Sequence, residues 1–310
     1  MPHVLINRTP IYYEQSGHGP EHIVFIHGLG LSHTNWLEQV PCFQDRSRIL
    51  TYDLRGHGRS GISPQPIDYS HYIEELANDL KGLLDHLNID KTFLVGYSTG
   101  SIIAMQFMYQ YPEMVRGAAV AGAFPKVGNA YLYTKLIGSF CLGKIHMKNW
   151  LSKQVARANG ATREHIHLFE HEARKARIKE TDLMIKGCLY FDITNKLNKI
   201  CAPILLIYGG NERHMMKYRH QLLTSLPQGE VCLIPKINHA CPTKGKEAFN
   251  KLIEDFIAEH SPTGERLTAL NTNENTSDTE QNPNNFTKRN FVSNPYETDR
   301  GSSNHNQWPH

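Results

Sequence analysis

Along residues 1–124, short fully apolar runs alternate with longer stretches whose apolar residues recur at helical spacing. Residues 4–6 and 11–14 read as two strands of a hairpin joined at 7–10. Residues 23–26, 48–52, 93–95 and 115–121 read as further strands. Runs without a polar face suit strands covered on both sides. Residues 36–43 form a short helical stretch. Tyr72, Ile73, Leu76, Leu80, Leu83, Leu84 and Leu87 repeat as one face of a helix. Residues 101–111 are almost continuously apolar, as in a buried helix, and Pro112 stops it. After Phe124 the alternation ceases, and residues 125–197 are helical and polar in pattern. Alternation resumes with strands at 203–208 and 230–234 and helices at 218–226 and 249–257. Strands alternating with helices predict an α/β protein with a doubly wound, mostly parallel sheet and an inserted helical cap.

The expected organisation is a core of residues 1–124 and 198–260, a helical cap at 125–197 and a polar tail at 261–310. Residues 271–285 contain no aliphatic side chain. Such a stretch cannot bury enough surface to offset its ordering entropy, so the tail is expected to be disordered. Composition narrows the partners. A net charge of +3 without a basic block gives no sign of nucleic-acid binding. No apolar run approaches the roughly 20 residues of a membrane span. Six cysteines lack any Cys-x-x-Cys pair and fit reduced thiols. With no signal-peptide core before the first strand, a cytoplasmic location is expected.

Chemistry is concentrated at Gly96-Tyr97-Ser98-Thr99-Gly100, where the apolar strand 93–95 runs straight into a helix. That junction needs a sharp turn. Glycines two residues either side of Ser98 let strand and helix approach, raising the serine hydroxyl at the tip beside the helix N-terminus. A serine needs a base to become nucleophilic. In this architecture the acid and the histidine follow the nucleophile in chain order. The strand 204–208 opens into Gly209-Gly210-Asn211-Glu212, and the last strand opens into Ile237-Asn238-His239-Ala240. Both loops fall at the C-terminal edge of the sheet, where such folds bind ligands. His239 is therefore the expected general base and Glu212 the expected orienting acid, with Asp192 in reserve. The backbone N–H groups of Leu29 and Thr99 are the expected oxyanion donors, each worth about 10²- to 10³-fold in rate. His27, Asp53, Arg55 and His57 are expected to brace the neighbouring loops. His165, His167 and His171 fit a solvated cap helix; no metal and no cofactor is expected. Tyr131, Tyr133, Leu136, Ile137, Phe140 and Leu142 either line an apolar pocket or pack on the core.

Three motifs in order, His27-Gly28-Leu29-Gly30 with Trp36 following, Asp53-Leu54-Arg55-Gly56-His57-Gly58-Arg59-Ser60, and the Ser98 pentapeptide, resemble the α/β-hydrolase fold superfamily. The narrower likeness is to its single-chain group of small esterases, cofactor-free haloperoxidases and carbon–carbon bond hydrolases. The resemblance covers 1–124 and 198–260. It implies Ser98 as nucleophile, His239 as base, and the amides of Leu29 and Thr99 as oxyanion donors. The chain departs from the pattern in having Glu212 where aspartate is usual, Ser101 where a further glycine is common, and the tail after 260. A serine at the elbow sets aside haloalkane dehalogenases and epoxide hydrolases, which carry aspartate there.

The expected activity is a serine hydrolase (a carboxylesterase) acting on a small-molecule ester, thioester or lactone through an acyl-enzyme. A carbon–carbon hydrolase, or a lyase of the menaquinone-pathway type, would use the same triad. From a different class, a signalling or binding module would keep the pocket and engage a protein partner through the tail.

Overall fold

The structure, a computed structural model, describes residues 3–64, 67–144 and 147–262; the remainder of the expected tail, 263–310, lies outside the described residues. The first strands, β1 (His3–Ile6) and β2 (Thr9–Ser16), pair as the expected hairpin, with Asn7 and Arg8 at positive φ in its turn. Then come β3 (Glu21–Ile26), α1 (Val40–Phe43), β4 (Ser47–Tyr52), α2 (Tyr72–His86), β5 (Thr92–Tyr97), α3 (Thr99–Gln110) and β6 (Val115–Ala121). Four helices follow: α4 (Ala130–Lys144), α5 (Lys148–Asn159), α6 (Arg163–Ala173) and α7 (Ile178–Tyr190). The chain closes with β7 (Ile204–Gly209), α8 (Met216–Ser225), β8 (Gly229–Ile234), α9 (Cys241–Lys244) and α10 (Lys246–His260).

All eight strands form one sheet in the order β1-β2-β4-β3-β5-β6-β7-β8. Only β1–β2 and β2–β4 are antiparallel; every later junction is parallel. The two faces of the sheet follow from side-chain alternation. Val24, Ile26, Leu94 and Leu206 point to one side, where Leu76 and Leu80 of α2 and Ile103 and Phe107 of α3 cover them. Ile23, Phe25, Phe93, Val95 and Ile207 point to the other, against Trp36, Phe249 and Phe256. Covered on both faces, β5 and β7 are buried at every residue, which explains their unbroken apolar sequences. β8 lies at the edge and is mostly half-exposed.

The 36–43 stretch divides into a 3₁₀ turn, His33–Trp36, and the short α1, whose first turn contains Pro41. Proline has no N–H and resists continuing a preceding helix, so the chain restarts there. β2 extends beyond the expected 11–14 because Glu14, Gln15 and Ser16 pair with β4. Backbone ladder bonds, not apolar side chains, define that end.

The helices α4 to α7 are inserted between β6 and β7, as the fold class anticipates. They are tied to the core by defined contacts. The Arg177 N–H donates to Gly56 O at 2.7 Å, and the Tyr72 hydroxyl donates to Glu180 at 2.8 Å. Tyr97, at the end of β5, donates to Asn159 Oδ1 at 2.7 Å. A buried ion pair fixes the loop after β4: Arg55 donates to both Asp79 oxygens at 2.6 and 2.5 Å, and Asn7 adds a third bond to the same carboxylate.

Candidate active site

Ser98 occupies the turn between β5 and α3 with φ 55° and ψ −117°, a left-handed conformation that a non-glycine residue holds only when its surroundings enforce it. The flanking glycines supply that enforcement. A Cβ on Gly96 would lie 2.6 Å from Gly100 O, and one on Gly100 would lie 2.1 Å from Ile26 O. The Ser98 N–H donates to Ala121 O at 2.8 Å. Ser101, in place of the further glycine, donates through Oγ to Ala121 O at 2.8 Å and Gly96 O at 3.1 Å, so it pins the turn to β6.

The loops after β7 and β8 are joined through their backbones. Gly210 N–H donates to Ile234 O at 2.8 Å and Asn211 N–H to Ile237 O at 3.0 Å. Gly209 permits this approach, since a Cβ there would fall 2.1 Å from Asn238 O. The result brings Glu212 against His239. Nδ1–H of His239 donates to Glu212 Oε1 at 2.7 Å, and the Ser98 hydroxyl donates to His239 Nε2 at 2.9 Å. This tautomer is the one that satisfies both bonds. Gly122 leaves room for the ring: at φ +66° its Cβ would lie 2.5 Å from His239 Cε1.

Glu212 is almost completely enclosed and also accepts from the Gly209 N–H at 3.2 Å. Burial pushes its carboxyl up, but the hydrogen bond and charge of His239 outweigh that and leave it below the ordinary carboxylate value. An ionised carboxylate beside Nδ1 is suited to stabilising an imidazolium.

Thr99 begins α3 directly after Ser98. Leu29 lies in the loop after β3, which comes close enough that a Cβ on Gly28 would stand 3.3 Å from Ser98 Cβ. Leu29, Thr99, Ser98 and His239 line one cavity of about 540 Å³. The structure thus brings together all five site residues expected from sequence.

The bracing residues lie apart from the hydroxyl. His27 Nε2 accepts from the Leu54 N–H at 3.0 Å and Nδ1–H donates to Gly28 O at 2.8 Å. Burial, with help from His57, brings the His27 pKa down to about 3, so it serves as a neutral strut between loops. Asp53 accepts from the His33 N–H at 2.7 Å, its ring at 2.8 Å and the Arg59 N–H at 2.7 Å. His57 donates to Arg55 O. Asp192 binds Lys126 and the Thr194 N–H. His165 faces Glu38 at 3.2 Å. All six cysteines are free thiols.

Of the cap side chains with two open roles, Tyr131 and Leu142 line the cavity, Leu136 lines it and also belongs to the core, Phe140 packs on the core and Tyr133 is exposed. Lys135, Lys148 and His214 also line it and carry no signal in the sequence pattern. Among the described residues, no helix is long and apolar enough to cross a membrane.

Comparison with known proteins bears on the fold. The family model described as alpha/beta hydrolase fold matches residues 21–138. The chain is 26% identical over 266 residues to a 2-hydroxy-6-oxononadienedioate/2-hydroxy-6-oxononatrienedioate hydrolase of Paraburkholderia phymatum, spanning 80% of this chain and 91% of that one. It is 23% identical over 238 residues to 3-oxoadipate enol-lactonase 2 of Acinetobacter baylyi, with 75% and 86% covered. The crystal structure of the enol-lactonase from Burkholderia xenovorans superposes with a TM-score of 0.73 at 19% identity, covering 83% of this chain and 99% of that one.

Proposed function

We propose that this chain, which belongs to the α/β-hydrolase fold superfamily, is a serine hydrolase that cleaves a small carboxylic ester, thioester or lactone. The observation that carries the proposal is the unbroken hydrogen-bond chain from Ser98 through His239 to Glu212 at a largely apolar cavity. Ser98 Oγ attacks the substrate carbonyl carbon while its proton passes to His239 Nε2. Glu212 holds the imidazolium. The oxyanion is received by the amides of Leu29 and Thr99. Collapse of the tetrahedral intermediate expels the leaving group, which takes the proton from His239, and leaves Ser98 acylated. Water, deprotonated by His239, then attacks the acyl-enzyme and releases the carboxylic acid and free Ser98. The helices between residues 125 and 197 act as a cap that selects the substrate, since α4 and α5 supply much of the cavity wall.

A panel of esters of increasing acyl length tests the proposal, with release of acid as the readout. Turnover should be present in the wild type and about 10⁵- to 10⁶-fold lower in kcat for Ser98→Ala, as when a triad nucleophile is removed elsewhere. A carbon–carbon hydrolase would use the same residues, and the likeness to the Paraburkholderia hydrolase keeps this second reading. Cleavage of β-diketone-like substrates with no activity on any ester would replace the first reading with the second.

A further inference from the structure

We propose that the cavity contains an anion subsite built on Lys135, so that the substrate is an ester-like compound carrying a second, ionised carboxylate. The proposal rests on the hydrolase reading above and narrows its substrate class. One stripe of α4, with Leu132, Lys135, Leu136, Ser139 and Leu142 at spacings of three and four, faces the cavity. Four of those positions are apolar or hydroxylic. The fifth is a cation. Lys135 is accessible, and among the described residues none forms an ion pair or hydrogen bond with its ammonium, although the Ser139 hydroxyl donates to its carbonyl at 2.9 Å. The carboxylate whose charge reaches it is Glu212, and that group is already engaged by His239 and the Gly209 N–H.

The surroundings favour an incoming anion rather than an internal partner. From residue 114 to residue 163 the chain contains no Asp or Glu, while Arg116, Lys126, Lys135, Lys144, Lys148, Lys153, Arg157 and Arg163 are all basic. The first two helices of the insertion therefore contribute only positive charge. The carboxylate among the cavity-lining side chains is Asp182 of α7, and it stands beside Gly143. Gly143 is eight residues along α4 from Lys135, or about 12 Å at 1.5 Å per residue. His214 also lines the cavity, 4.0 Å from Glu212 Oε1 and tilted at 42° to the Tyr131 ring at a 4.3 Å centroid distance. Partial desolvation lowers the pKa of both Lys135 and His214. A neutral ester offers the Lys135 ammonium no counterion at the cavity wall. A carboxylate would supply one and form a charge-assisted hydrogen bond.

The test compares half-methyl esters of the C4 to C8 α,ω-diacids with the corresponding dimethyl esters, which differ by one charge. Wild-type kcat/KM should favour at least one half-ester over its diester by about tenfold or more. Lys135→Met should lower kcat/KM for that half-ester by about 10- to 100-fold, mainly through KM, and leave the diester within about threefold. Lys148→Met should keep the preference. Turnover of both classes without discrimination, an equal loss for both in Lys135→Met, or a preference that depends on Lys148 would each overturn the subsite while leaving the hydrolase standing. Calorimetric titration of the same compounds into Ser98→Ala separates the two ideas when nothing is turned over. Half-ester binding that is lost on adding Lys135→Met would keep the subsite and remove the hydrolase. Equal or absent binding of half-ester and diester would remove the subsite.

Discussion

Glu212 is the site residue in which this chain departs from the aspartate usual in its fold family, and Glu212→Gln is the sharpest probe of its role. The substitution keeps volume and reach and removes only the charge. In the wild type the carboxylate receives Nδ1–H at 2.7 Å in a nearly dry setting, with its side chain 2% exposed. With charge centres about 4 Å apart and an effective dielectric of about 20, carboxylate and imidazolium attract by about 4 kcal/mol. At 1.36 kcal/mol per decade that is about 10³-fold in rate, because the imidazolium exists only as the transition state is approached. The amide can also turn its NH₂ toward the ring and favour the wrong tautomer, which raises the expected loss toward 10⁴-fold. Steady-state kinetics on the best ester should show this fall in kcat with little change in KM. The folded state should survive, since the Gly209 N–H can still be accepted by the amide oxygen. A fall of less than tenfold would remove Glu212 from the mechanism.

The same pairing has a signature in acid. The folded carboxyl of Glu212 lies below its ordinary value, so the stability it confers is complete at neutral pH and is lost as pH falls through that depressed pKa. The stability gap between wild type and Glu212→Gln should therefore shrink in urea titrations below about pH 4; a gap that widens there would contradict the sign. Asp79→Ala strands the Arg55 guanidinium, which is 1% exposed, and should cost about 3–5 kcal/mol in the same titrations. A loss under 1 kcal/mol would mean that Arg55 finds water. Gly100→Ala places a methyl 2.1 Å from Ile26 O, so the elbow must shift; expected outcomes are a lowered Tm and at least a 10²-fold loss of turnover. Ser98→Gly should be inactive but more stable than Ser98→Ala by about 1 kcal/mol, because glycine accepts the positive φ. Equal stability would show that the turn carries no strain.

Features set by neighbouring residues were legible in the sequence. Gly96 and Gly100 act within two residues of Ser98, so their spacing, read with the apolar strand before it and the helix after it, marked the turn. Glu212 and His239 followed from the chain order of strands that end at one sheet edge. What escaped depends on residues brought together from afar. Asp79 sits within the apolar stripe of α2, yet its partner Arg55 is 24 positions away and meets it only once the helix has docked. Lys135 and His214 converge from α4 and the turn after β7, a meeting decided by how the inserted helices pack. The polar end of β2 was invisible because backbone pairing with β4, rather than an apolar face, extends it. The break inside 36–43 was present as Pro41 and is explained by its missing N–H.

An activated Ser98 is the core of the proposed mechanism, and covalent labelling by a fluorophosphonate probe tests it most directly. Purified wild type should label rapidly, and both Ser98→Ala and His239→Ala should not. Labelling that persists in Ser98→Ala would place the reactive group elsewhere. No labelling of the wild type would contradict the hydrolase mechanism and bring forward a binding module that engages a protein partner.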